Sequence, residues 1–146
     1  MQTKSFLGAL DHERIVKAIA EAEARSRGEV RVHVSGQPVV DAQAAAARQF
    51  EALGMTKTAE RNGVLLYVAP ASQTFAVVGD AGIHERCGPG FWSDVASAVE
   101  EDFKAGRFTD GIVKGVTRLG DALAAHFPRT AGTADTNELP DEVTED

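Results

Sequence analysis

Cysteine is almost missing from this chain. Cys87 is the only one in 146 residues, so no disulfide can form within the chain and paired-cysteine metal or redox sites are excluded. Long apolar runs are missing too. The opening MQTKSFLGAL breaks into DHER without a leader's apolar core, and nothing approaches the roughly 20 apolar residues of a membrane helix. A cytoplasmic location and no direct membrane insertion are therefore expected. Nucleophile elbows (GxSxG), HExxH metal helices, GxxxxGK[ST] loops and dinucleotide fingerprints do not occur. Clusters of basic residues are lacking as well. Six of the 22 acidic side chains (Asp135, Glu138, Asp141, Glu142, Glu145 and Asp146) lie in residues 130–146, leaving 16 acidic against 15 basic groups before them. A nearly neutral body has no broad positive field to collect phosphate backbones, which disfavours nucleic acid as a partner.

This charge division suggests one domain over residues 1–129 and an acidic extension, residues 130–146, too poor in apolar surface to order itself. Within the domain, Asp11 is placed to cap a helix carrying Ile15, Ala18, Ile19 and Ala22 at helical spacing, with Gly28 beyond it. Residues 29–34, EVRVHV, alternate strictly. Their valines face one side of a strand, while Arg31 and His33 face solvent or a second helical layer. Asp41 is placed to cap an alanine-rich helix running to Leu53, and Gly54 to stop it. GVLLYVA at 63–69 reads as a strand buried on both faces. The connection PASQ then leaves no room for a crossover helix before TFAVV at 74–78, so those two strands run antiparallel. Two amphipathic helices follow, one with Trp92, Val95, Val99 and Phe103, the other with Ile112, Val116, Leu119 and Leu123. Gly106 breaks them apart, and Thr109 or Asp110 is placed to cap the second. The expected fold is α/β: a three-layer α/β/α sandwich with a mixed sheet.

The chemistry-bearing candidates gather around Asp80 in VVGDAG. A carboxylate between glycines at a strand end can serve as a turn or helix cap, or as an oxygen ligand for a hard cation, Ca²⁺ or Mg²⁺. Asp41 and Asp110 are explained by helix capping, yet would join Asp80 as ligands if the layers brought them to one sheet edge. In Arg61-Asn62-Gly63, Asn62 suits a turn, and Arg61 can offer its planar donors to an anion or pair with Asp80. His84 and Cys87 are too few for a zinc site, Trp92 reads as core, and Glu100-Glu101-Asp102 reads as a solvated face.

The segments GEVRVHV at 28–34, RNGVLLYV at 61–68, FAVVGDAGI at 75–83, Phe91-Trp92 and Phe108 with Gly111-Ile112 and Gly120 resemble, in order and spacing, the TPM domain family, also described as the TPM phosphatase family. The resemblance covers roughly residues 10–127 and implies the same three-layer sandwich. It further implies divalent cation binding or acid phosphatase activity in some members and photosystem repair or respiratory assembly in others. Carried onto this chain, it makes Asp80 the leading metal ligand, with Asn62, Asp41 and Asp110 beside it, and Arg61 the group facing a phosphate. Two functions follow as expectations. One is a noncatalytic module binding a cation and a protein partner. The alternative is a metal-dependent phosphomonoester hydrolase with Asp80 and Arg61 in its mechanism.

Overall fold

The computed structural model describes residues 2–129 and 143–146. Its helices are α1 (Thr3–Ala9), α2 (His12–Ala24), α3 (Ala42–Ala52), α4 (Ala81–Cys87), α5 (Pro89–Lys104) and α6 (Phe108–His126). The strands are β1 (Glu29–Val34), β2 (Gly63–Ala69), β3 (Thr74–Gly79) and β4 (Val143–Glu145). The four strands form one sheet in the order β3-β2-β1-β4. β1 runs parallel to β2 and to β4, whereas β2 and β3 are antiparallel, so the sheet is mixed as the short 70–73 connection requires.

The two faces of the sheet bury different layers. Val30, Val32 and Val34 of β1, with Val64, Leu66 and Val68 of β2, pack against Ile15 and Ile19 of α2 and Ile112, Val116, Leu119 and Leu123 of α6. Leu65, Tyr67 and Ala69 of β2 and Ala76 of β3 face Ala45, Ala46 and Phe50 of α3 on the other side. β2 is buried along its whole length, as a continuous apolar run between two helical layers must be. The result is the expected three-layer α/β/α sandwich.

The capping chemistry acts where the residues permit it. Asp11 accepts a hydrogen bond from the Arg14 amide (3.2 Å) and Asp41 one from the Ala44 amide (3.1 Å). Gly54 takes the left-handed conformation (φ 74°) that ends α3, and Gly106 (φ 79°) separates α5 from α6. Three local expectations are corrected. α1 was not anticipated, and it buries Phe6 in the larger core. α6 begins at Phe108, ahead of both proposed caps: the Thr109 hydroxyl accepts from the Asp11 amide (3.0 Å), and Asp110 pairs with Arg14 (3.1 Å). Residues 143–146, assigned by composition to the unordered extension, form an edge strand and its exit; residues 130–142 of that extension lie outside the described residues.

Candidate functional site

Asp80 stands where β3 hands over to α4. Its amide donates to the Gly63 carbonyl (2.9 Å), closing the last rung between β2 and β3, and its carboxylate accepts from the Ala81 amide (2.8 Å) as the α4 cap. The same carboxylate receives a two-pronged grip from Arg61, Nε to Oδ2 at 2.7 Å and Nη2 to Oδ1 at 2.8 Å. Asp80 is buried (6% exposed) while the Arg61 side chain is half exposed (52%). This hydrogen bonding, and secondarily the charge, holds the Arg61 guanidinium above its ordinary pKa.

Arg61 reaches Asp80 because its backbone adopts φ 52°, a left-handed conformation uncommon for a residue with a Cβ. The Gly82 amide donates to the Arg61 carbonyl (2.8 Å), and a Cβ on Gly82 would press on the carbonyl oxygens of Glu60 and Arg61. The glycine of VVGDAG is therefore needed for the close approach of the 60–61 backbone to α4. Asn62 is buried: its amide donates to the Thr58 hydroxyl (3.2 Å) and its Nδ2 to the Arg27 carbonyl (3.2 Å). Arg27 in turn clasps Glu60 (2.9 and 3.1 Å), and that hydrogen bond lowers the Glu60 pKa. The turn is thus braced by two arginine–carboxylate pairs.

The structure unites Asp80, Arg61 and the neighbouring Asn62 but leaves the other acids elsewhere. Asp41 caps α3, and Asp110 is engaged by Arg14 at the start of α6. Among the described residues, no group of three or more His, Cys, Asp or Glu side chains is placed to hold a metal. As arranged, the turn offers a cation one carboxylate that a guanidinium has already neutralised, and an amide group turned toward backbone. Those donors do not form a Ca²⁺ or Mg²⁺ shell.

A larger feature lies along the outer edge of β3. A groove of ≈ 880 Å³ runs beside this strand, walled by Phe75, by Trp92 and Phe103 of α5, and by Phe6 and Phe108. Four of these rings form a connected cluster: Phe6, Phe75 and Phe108 each lie within 4.9 to 6.2 Å of another ring of the set, centroid to centroid, with Phe103 central among them. Trp92 stacks on His84 (5.5 Å, 15°) and lies under Gly79, where a Cβ would come within 2.7 Å of the indole. The Gly63–Asp80 rung fixes which backbone groups face outward. Because bonded and unbonded pairs alternate in an antiparallel ladder, the N–H and C=O of Phe75, Val77 and Gly79 point away from β2. Gln43 Nε2 donates to the Val77 carbonyl at 3.3 Å, consistent with that direction. Sequence reasoning placed Trp92 and Phe103 in an apolar helical stripe, which is correct, but a stripe does not reveal that part of it borders a strand edge left unpaired among the described residues.

The family model of the TPM domain matches residues 1–122. Among solved structures, the chain is similar to the BA42 protein from the psychrophilic bacterium Bizionia argentinensis, determined by NMR, with 37% identity, 92% of each chain covered and a TM-score of 0.84. No curated protein matches the chain. No helix among the described residues is long and apolar enough to cross a membrane. With the family model spanning most of its length and a structural relative sharing both sequence and fold, the chain belongs to the TPM domain family.

Proposed function

We propose that this domain is a noncatalytic protein-interaction module whose working surface is the groove along β3. The observation that carries this reading is the coincidence of an edge strand, with outward backbone groups at Phe75, Val77 and Gly79, and an aromatic-walled groove of ≈ 880 Å³ beside it. An extended peptide adds to such an edge through main-chain hydrogen bonds, and alternate side chains enter the adjoining groove. The partner is accordingly an extended, aromatic-bearing segment of another protein. A cytoplasmic setting accords with the lone unpaired Cys87.

Val77→Pro tests the reading with little disturbance to the sheet, because the lost N–H faces outward and proline is tolerated on sheet edges. Aromatic-bearing extended peptides, read by Trp92 fluorescence, should bind the native chain and lose at least about tenfold in affinity for the proline variant. Equal binding by both would refute the use of this edge.

The alternative, a metal-dependent phosphomonoester hydrolase, is favoured by one feature: the half-exposed Arg61 guanidinium, which can turn from Asp80 toward a phosphate and free the carboxylate for Ca²⁺ or Mg²⁺. Turnover of p-nitrophenyl phosphate that requires either ion and disappears in Asp80→Asn would displace the interaction reading.

A further inference from the structure

α5 and α6 form an antiparallel hairpin about Gly106, and glycines set how closely its arms approach. A Cβ on Gly111 would press on the Phe103 ring, and one on Gly115 would come within 3.0 Å of Val99, so near the turn the two helices are in tight contact. The next glycine of α6, Gly120, meets Ala22 of α2 instead. Toward the far end of the hairpin a cleft of ≈ 390 Å³ lies between α5, α6 and the last residue of α4.

This cleft joins an apolar floor to a pair of opposite charges. Val95 is buried, and Phe91 and Ala122 flank it, with Cys87 on the α4 side and His126 two turns beyond Arg118 on α6. Asp94 and Arg118 line the cleft as exposed side chains. Among the described residues neither takes part in an ion pair, with the other or with a third group. The remaining acid of the lining, Asp121, is already held by Arg25 at 2.8 Å. The register that sets Gly115 against Val99 places Asp94 and Arg118 within about one helical turn of each other along the hairpin.

An acid and a base that share a cleft without pairing complement a ligand carrying both charges in the opposite sense. We propose that the cleft binds a free α-amino acid with an apolar side chain. Arg118 donates to its carboxylate, Asp94 accepts from its ammonium, and the side chain rests on Phe91, Val95 and Ala122. An amino acid carries its two charges on one carbon, as a pair of groups this close requires, whereas a peptide holds its terminal charges farther apart. The volume falls within the range of small-ligand sites, about 300–1,000 Å³, and the apolar floor selects against polar side chains. Because both charged groups stay exposed, the affinity is modest, in the millimolar range. The site is separate from the β3 groove, which is lined by Trp92 and Ala96 of α5 rather than by Phe91 and Val95.

Titrating the full chain with leucine, followed by amide NMR, tests the proposal. Shifts should centre on Phe91 to Val95 and Arg118 to Ala122, and saturating leucine should slow alkylation of Cys87. Arg118→Gln and Asp94→Asn, both at exposed positions outside the core, should each weaken leucine binding about tenfold. Leucinamide, which lacks the carboxylate, and isocaproate, which lacks the ammonium, should bind the native chain about tenfold more weakly than leucine. Absence of shifts at these residues at tens of millimolar leucine would overturn the proposal. So would leucine binding undiminished in both variants, or either analogue binding as well as leucine.

Discussion

Replacing Gly82 with alanine isolates the packing on which the Asp80 turn depends. The new methyl carbon would lie 2.6 Å from the Arg61 carbonyl oxygen and closer still to that of Glu60, while ordinary contact begins at 3.4 Å. The helix or the 60–61 backbone must then retreat by roughly 1.1 Å to clear the Glu60 oxygen, and neither is the free end of a flexible side chain. Overpacking of this kind costs about 1–3 kcal/mol. Losing the bond from the Gly82 amide to the Arg61 carbonyl adds about 1 kcal/mol, partly offset by about 1 kcal/mol of better helix propensity. A net loss of about 2 kcal/mol corresponds to a melting point roughly 6–8 °C lower for a domain of this size. Gly90→Ala is the matched control: it also sits in the first turn of a helix, and nothing lies within 4 Å of its Cβ position. It should be neutral or stabilising by up to about 1 kcal/mol. Urea unfolding of both variants decides the matter. If Gly82→Ala unfolds within about 0.5 kcal/mol of Gly90→Ala, the close-approach argument is wrong.

Asp80→Ala removes a helix cap worth about 1 kcal/mol together with the acceptor of the Arg61 grip, so chemical denaturation should show a loss of at least about 1 kcal/mol. Stability should fall on the acid side. The carboxyls of Glu60 (hydrogen-bonded by Arg27) and Asp102 (by Lys114 and then Arg107) lie below their ordinary pKa; at Asp146, burial raises the value but bonds from His33, Ser35 and Gly36 outweigh it. A depressed folded pKa contributes stability that is complete above the unfolded values, about 3.9 for Asp and 4.3 for Glu, and is lost as pH falls through the folded values. The urea midpoint should therefore stay level above about pH 5 and drop below it; a midpoint unchanged down to about pH 2.5 would contradict the assignment. Burial pushes the Cys87 thiol pKa up, so alkylation near neutral pH should be slower than that of a free thiol and should speed up on unfolding. Equal rates for the folded and unfolded chain would rule this out.

Most of the architecture was legible in the residues because its determinants are local. Strict alternation over 29–34, a continuous apolar run over 63–69, and Asp11 and Asp41 ahead of helical stripes fix strand, buried strand and helices within a few residues of each signal. The four-residue link after β2 decided the sheet's mixed character for the same reason. The candidate site was only half legible. Asp80 pairing with Arg61 was among the readings the sequence allowed, but both residues also suited a cation and a phosphate, and their chemistry alone could not choose. Asp110 lay beyond reach of sequence reasoning, since its partner Arg14 is 96 positions away.

Local patterns along the chain settled the kinds of element and the layered class, because periodicity, turn chemistry and capping act between near neighbours, while the order of its motifs carried the family resemblance. What lies at the two edges of the sheet emerges from the folded arrangement. A β3 edge unpaired among the described residues and bordered by aromatics, and a β1 covered by β4 and followed by a carboxylate 113 positions after the histidine that contacts it, are products of chain topology. A strand's edge is defined by what fails to pair with it or returns to pair with it. No local pattern carries that information, because hydrogen bonding across a sheet depends on proximity in space rather than along the chain.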